Sequence, residues 1–320
     1  MHRESNLNTV TERPLIYQAK TKKRWLNSER REGLTFYLLI SPWLLGFLFF
    51  ILGPMIASLY ISFTDWDLLT PVKWTGLDNY VKAFTGDPLF WQALKVTMIY
   101  SLFSVPIGLI VSLGVAMLLN QAVRGMSIFR TIYYLPAVVS GVSVMVLWMY
   151  IFNPQIGLLN TVLGYFGIKG PGWIFDPKWA LLSIVIMSLW GVGGGIIIWL
   201  AGLNGIPDYL YEAADLDGAS KFQKFMHITV PMLTPTIFFN LITGIIGALQ
   251  TFGEAYVMTK GGPLNSTLFF NYYLFRKAFE EFDMGYASAL AWILFIIIFI
   301  FTLLVFRSSA LWVHYEGEKR

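Results

Sequence analysis

Two groups of residues in this chain have the types and spacing to do chemistry. The first is a line of polar and small side chains inside a long apolar block: Asn240, Gly244, Gly247, Thr251 and Glu254, with Ala248 and Gln250 beside it. Steps of three and four residues place these on one face of a helix. A second apolar block carries Ser188, Gly191, Gly194 and Gly195, flanked by Trp190. Amide, hydroxyl and carboxylate groups with an aromatic face nearby suit a hydroxylated ligand, and polar residues inside a membrane segment point to function. The same small residues also serve helix–helix packing, because they let backbones approach closely. Both readings stand at this point.

The other group lies in the polar stretch YEAADLDGASKFQKF, Tyr211 to Phe225, which interrupts the apolar blocks. Glu212 can make a charge-assisted contact with a basic surface on a partner. Ala213 and Ala214 permit close approach, Asp217 adds a second acid, and Gly218 is expected to turn the chain through a positive φ. Ile206-Pro207-Asp208 predicts a helix start, and a second short amphipathic piece, 219–227, is expected to stop before Pro231. The result is a helix–Gly–helix elbow; a plain solvated loop is the alternative.

What the chain lacks narrows the chemistry. It has no GxxxxGK[ST] phosphate loop and no GxSxG. His2, His227 and His314 are far apart and in no metal-ligand spacing, and there is no cysteine. No catalytic residue and no metal site are predicted, and nothing points to nucleic acid. No Lys or Arg sits near the middle of an apolar block: Lys95, Lys178, Arg130 and Arg307 all lie at edges. A phosphate dianion would find no cation there, and an unpaired buried charge costs several kcal/mol or more.

The elements that must position these groups are membrane helices. The 320 residues are 56% hydrophobic and 13% charged, against about 25% charged in soluble domains. About six blocks reach the ~20 apolar residues that span a bilayer, near 34–63, 91–119, 128–152, 179–203, 232–258 and 286–306. The fold class is therefore all-α and multi-span. With the N-terminus inside, about fifteen of the 23 Lys and Arg fall on the cytoplasmic side and about eight outside, as the positive-inside rule asks. Both termini and the elbow are then cytoplasmic. The organisation is a basic cytoplasmic segment 1–33, holding Lys20, Lys22, Lys23, Arg24, Arg30 and Arg31, a membrane domain 34–308 with its connecting loop at 204–231, and a cytoplasmic tail 309–320.

Glu212-Ala213-Ala214, then Gly218, Ile228 and Pro231, resembles the EAA motif of ATP-binding-cassette importer permeases; Val230 stands where leucine is usual. WTGLDNYVKAF (74–84), RGMSIFRTIYYLP (124–136), NPQIGLLN (153–160) and TKGGPLNST (259–267) resemble segments of sugar permeases, and together the likeness covers most of 34–315. It is strongest to the first membrane subunit of carbohydrate importers of the maltose type. The resemblance implies that the elbow, in the coupling loop 204–231, is a coupling helix seated on a cytoplasmic ATPase. It also implies a second homologous permease subunit, two nucleotide-binding subunits that hold ATP and magnesium, and an extracytoplasmic binding protein that delivers a sugar. This chain would bind no cofactor and would not itself be an enzyme. Its place would be the plasma or inner membrane of a prokaryote. The resemblance puts the sugar site at Gly191, Gly194, Gly244 and Ala248, whose small side chains point to a roomy cavity and an oligosaccharide. Alternatives are a glycerol phosphate or polyol importer of the same family, an ion-coupled secondary transporter, which would want mid-membrane acidic or histidine relays, and a non-transporting scaffold.

Overall fold

The computed structural model describes residues 28–314. The cluster Lys20 to Arg24 and the end of the tail lie outside the described residues. The chain divides into two compact units, Met1–Ile56 and Ala57–Arg320. The first is a helical run through Ser28–Gly46 and a π-helical stretch Phe47–Leu52, which leads into Gly53–Ile61. We label the helix that includes it, Glu32–Ile61, α1.

The second unit begins at Ala57, within the last turns of α1, and continues into a two-strand antiparallel hairpin, β1 Thr64–Asp65 and β2 Lys73–Trp74. Then come α2 Pro88–Leu119, α3 Met126–Val138, α4 Gly141–Ile151, α5 Leu158–Tyr165 and α6 Ala180–Asn204. The connecting elbow is α7 Asp208–Leu216 and α8 Lys221–Met232. It leads to α9 Thr234–Leu249, α10 Phe270–Phe275 and α11 Met284–Trp312. The last helix runs past residue 308 and ends at Trp312.

Among the described residues, four helices are long and apolar enough to cross a bilayer, and six if each bent pair counts as one span. The bent pairs correct two expected spans. The block 128–152 is not one helix: α3 and α4 meet at 97° across Val139 and Ser140. At 13 residues α3 reaches only about 20 Å, short of the ~30 Å hydrocarbon core. Pro136 inside α3 removes a ladder donor, and Gly141 reopens the chain after the break. The block 232–258 is likewise shorter as a helix, since α9 ends at Leu249 and meets α8 at 66°. The piece after Gly218 does not stop before Pro231. It continues through a π-helical stretch, Phe225–Thr229, into Val230–Met232, where proline sits in the first turn and needs no donor.

The core explains which helices can hold a cavity. Phe90, Tyr100 and Val105 of α2 pack with Ile184 and Val185 of α6, Ala248 of α9 and Tyr286, Leu290 and Ile293 of α11. A smaller cluster of Ala116, Trp199, Ile206 and Leu233 closes the end of the bundle near the elbow. Gly193, within the 3-10 stretch Leu189–Gly195 of α6, allows the backbone of α3 to pass: a Cβ there would lie 2.0 Å from the Tyr133 carbonyl oxygen.

At the other end, Asp87 ties three elements together. Its carboxylate accepts from the N–H groups of Leu89 (2.9 Å) and Phe90 (3.3 Å), which caps α2. It also accepts from the hydroxyls of Tyr273 and Tyr286, the latter at 2.5 Å. Burial opposes its charge, but the two tyrosines and the two backbone donors outweigh burial and lower its pKa. Burial, then the bond to Asp87, raises the Tyr273 phenol, so it remains a donor. A lowered carboxylate pKa gives a contribution that is complete above the ordinary carboxylate range and is lost as pH falls through the folded value. Asp87→Ala strands two phenols and uncaps α2, and should cost about 2–3 kcal/mol. The measurement is thermal unfolding of the reconstituted chain. The gap between Asp87→Ala and wild type should close as the pH drops below 4; a gap unchanged by pH would refute the assignment.

Candidate substrate cavity and coupling elbow

A cavity of about 480 Å³ opens between α2, α6 and α9. From α2 it takes Tyr100, Ser104, Gly108 and Ser112, and from α6 Ser188, Gly191 and Gly195. Asn240, Thr243, Gly244, Gly247 and Ala248 of α9 complete the far wall, followed by Thr251 and Glu254 beyond the end of that helix. The lining has one carboxylate and no cation.

The hydrogen bonds within the wall set what it offers a ligand. Ser188 Oγ donates to the Val185 carbonyl (2.7 Å), Thr243 Oγ1 to that of Phe239 (2.9 Å) and Ser112 Oγ to that of Leu109 (3.1 Å). Asn240 Nδ2 donates to the Thr236 carbonyl at 2.8 Å, which leaves Oδ1 toward Gly195. These protons are used on the helices' own carbonyls. The lone pairs remain, so the wall is rich in acceptors. Ser104 Oγ is buried in the same wall, beside Tyr100. Such a surface fits a ligand with many hydroxyl donors and offers an anion no cation.

The elbow begins as the residues dictate. Pro207 stands in the N-cap position and Asp208 in the first turn of α7, where its charge complements the helix dipole. The helix closes with Ala219 N–H donating to the Ala214 carbonyl (2.9 Å) and Gly218 N–H to that of Asp215 (3.1 Å). Gly218 has φ +75°, the left-handed conformation such an end requires. Ser220 and Gln223 then form a reciprocal capping box that starts α8. Lys224 Nζ bonds Asp215 Oδ1 at 2.6 Å and fixes the angle between the two helices. Tyr211 and Thr229 hydroxyls meet at 2.9 Å and anchor α7 to α8. Asp215 is thus engaged inside the elbow. Glu212 and Ala213 are exposed on its surface, with Leu216 and Phe222 nearby.

Residues 104–313 match the family model described as the binding-protein-dependent transport system inner membrane component. The chain belongs to this family. It is a multi-pass inner-membrane permease of the ABC transporter class, a transport subunit and not an enzyme. The permease is 46% identical to "Probable ABC transporter permease protein YesP" of Bacillus subtilis, over 91% of this chain and 96% of that one. It is 34% identical to the trehalose/maltose transport system permease protein MalF of Thermococcus litoralis, over 87% and 94%. Its fold matches the crystal structure of a bacterial ABC transporter involved in import of the acidic polysaccharide alginate, with TM-score 0.76, 25% identity and coverage of 88% and 96%.

Within this permease, seven of the ten residues expected on a substrate path line the cavity: Ser188, Gly191, Asn240, Gly244, Ala248, Thr251 and Glu254. The other three do not. Trp190 is exposed and packs edge-on against Trp148. Gly194 faces the Ala137 methyl group of α3. Gln250 is exposed; its backbone N–H donates to the Ile246 and Gly247 carbonyls and its own carbonyl accepts from Asn271 Nδ2 at 3.0 Å. Sequence reasoning missed the α2 wall. Tyr100, Ser104, Gly108 and Ser112 recur every four residues, which is a helical stripe as regular as the one on α9.

Proposed function

We propose that this permease forms half of the membrane pathway of an ATP-driven sugar importer, and that the sugar is an oligosaccharide. The observation that carries this reading is the acceptor-rich wall drawn from three helices around about 480 Å³, with Glu254 and no cation in it. Sugars present several hydroxyl donors per ring, and each hydrogen bond kept is worth about 1 kcal/mol net. The named substrates of the relatives, trehalose and maltose in one case, are of this chemistry. A glycerol phosphate would carry its dianion past Glu254 unpaired. Family membership removes the ion-coupled transporter and the scaffold as competing readings.

In this reading the two termini and the elbow are cytoplasmic, with Arg124, Arg130, Lys221 and Lys224 on that side. Glu212, Ala213, Ala214, Asp217 and Gly218 seat in a groove on a partner ATPase, and the two ATPase subunits hold ATP and magnesium. A second homologous permease subunit closes the cavity, and an extracytoplasmic binding protein delivers the sugar to the opposite face. Binding of ATP rocks α7 and opens the pathway outward, and hydrolysis resets it.

The test separates wall from surface. In the assembled transporter, Asn240→Leu and Thr251→Val should each lower uptake of a labelled oligosaccharide about fivefold or more, with basal ATP hydrolysis unchanged. Gln250→Leu should leave uptake near wild type. Loss confined to Gln250→Leu would place the path elsewhere.

A further inference from the structure

We propose that the hairpin 64–74 is a membrane-interface anchor, seated in the headgroup region of the leaflet, with Leu68 and Leu69 at its tip turned into the lipid. The hairpin is outside every helix, yet its tip is apolar: Leu69 is 88% exposed, and Leu68, Val72 and Trp74 are exposed with it. Three observations favour lipid as the occupant.

The first is depth. The carbonyl of Trp66 accepts from the N–H groups of Met284 (2.9 Å) and Gly285 (3.3 Å), the first two residues of the spanning helix α11. Gly285 leaves no room to shift, since a Cβ there would lie 1.9 Å from the Thr64 carbonyl oxygen. The hairpin is therefore pinned to the first turn of a helix long and apolar enough to cross the bilayer. The second is an aromatic cluster. Trp74 stacks on Phe63 and tilts against Tyr60, both with ring centroids 5.6 Å apart, and Tyr80 lies 5.5 Å from Phe63. Trp and Tyr concentrate at the headgroup level because they present an apolar ring and a polar edge.

The third observation is that the turn at the tip is closed by its own side chain. Asp67 Oδ1 accepts from Leu69 N–H (3.0 Å), Thr70 N–H (2.7 Å) and Thr70 Oγ1 (2.7 Å). That turn holds Leu68 at φ +69°, a conformation leucine rarely takes, and presents Leu68 and Leu69 together at the tip. Across the ladder Asp65 stands opposite Lys73, which offsets charge between the strands.

The chain has no native cysteine, so single labels are unambiguous. Leu69→Cys and Val72→Cys, each carrying a nitroxide on the full chain in phosphatidylcholine–phosphatidylglycerol vesicles, report their surroundings by power saturation with oxygen and with a water-soluble nickel chelate. The oxygen-to-nickel accessibility ratio at Leu69 should be several-fold above that of a label at Leu264→Cys, an exposed site on the 260–268 loop. A ratio equal to that of Leu264 at both hairpin positions would overturn the anchor. So would a nickel-accessible label that becomes shielded only when a binding protein is added, since that makes the tip a protein-docking surface.

Discussion

Gly218→Val should abolish most of the substrate-stimulated ATP hydrolysis of the assembled transporter while leaving the chain in the membrane. A Cβ at Gly218 meets no atom within 4 Å, so the harm does not come from crowding. It comes from φ +75°, which a β-branched residue adopts only with strain. Strain of ~1–3 kcal/mol at the pivot corresponds to a loss of the correctly closed elbow of about fivefold to over a hundredfold. Disturbing it also separates the capping box of Ser220 and Gln223 and the Lys224–Asp215 pair from α7. Gly218→Asn should retain much of the activity, because asparagine tolerates the left-handed region. Glu212→Lys should fail for a different reason, by reversing charge on a surface that the elbow leaves exposed. Coupling equal to wild type in both Gly218→Val and Glu212→Lys would remove the coupling role from this segment.

Gly247→Leu should block transport with little effect on folding. Gly247 lines the cavity and a Cβ there meets nothing within 4 Å. Its helix gains propensity from the exchange, about 1 kcal/mol by the usual scale. The new side chain instead occupies the lumen, so uptake should fall at least tenfold while basal ATP hydrolysis and thermal stability hold. Gly244→Leu at the neighbouring position is expected to be less clean, because its Cβ would press on Val105 at 3.4 Å. Full transport by Gly247→Leu would mean that the substrate does not pass this wall.

The reach of the sequence differed between the two sites. The elbow was legible almost residue by residue: Pro207 and Asp208 open α7 and Gly218 takes the positive φ, because capping and turn chemistry are local. The cavity was legible by its chemistry more than by its path. The stripe Asn240 to Glu254 suggested one continuous helix face, yet α9 ends at Leu249 and Gln250 is exposed, outside the cavity lining. Thr251 and Glu254 reach the same lumen from beyond the break. The α2 wall went unnoticed because serines and glycines in a span also serve packing, although their four-residue recurrence was present throughout. The break at 139–140 left no trace in hydropathy, since α3 and α4 are apolar on both sides of it. Pro136 and Gly141 were its only local signals, and whether such a pair bends or straightens is decided by neighbours such as the 3-10 stretch around Gly193.

The central claim is that neutral, hydroxylated cargo crosses the cavity of this permease under ATP. The most direct measurement is uptake by the assembled complex in proteoliposomes, with labelled neutral oligosaccharide and labelled glycerol phosphate compared in wild type and Gly247→Leu. Uptake of the oligosaccharide should require ATP, survive collapse of ion gradients and be lost in Gly247→Leu, with no uptake of the phosphate. Glycerol phosphate uptake at wild-type rates in both forms would contradict the account.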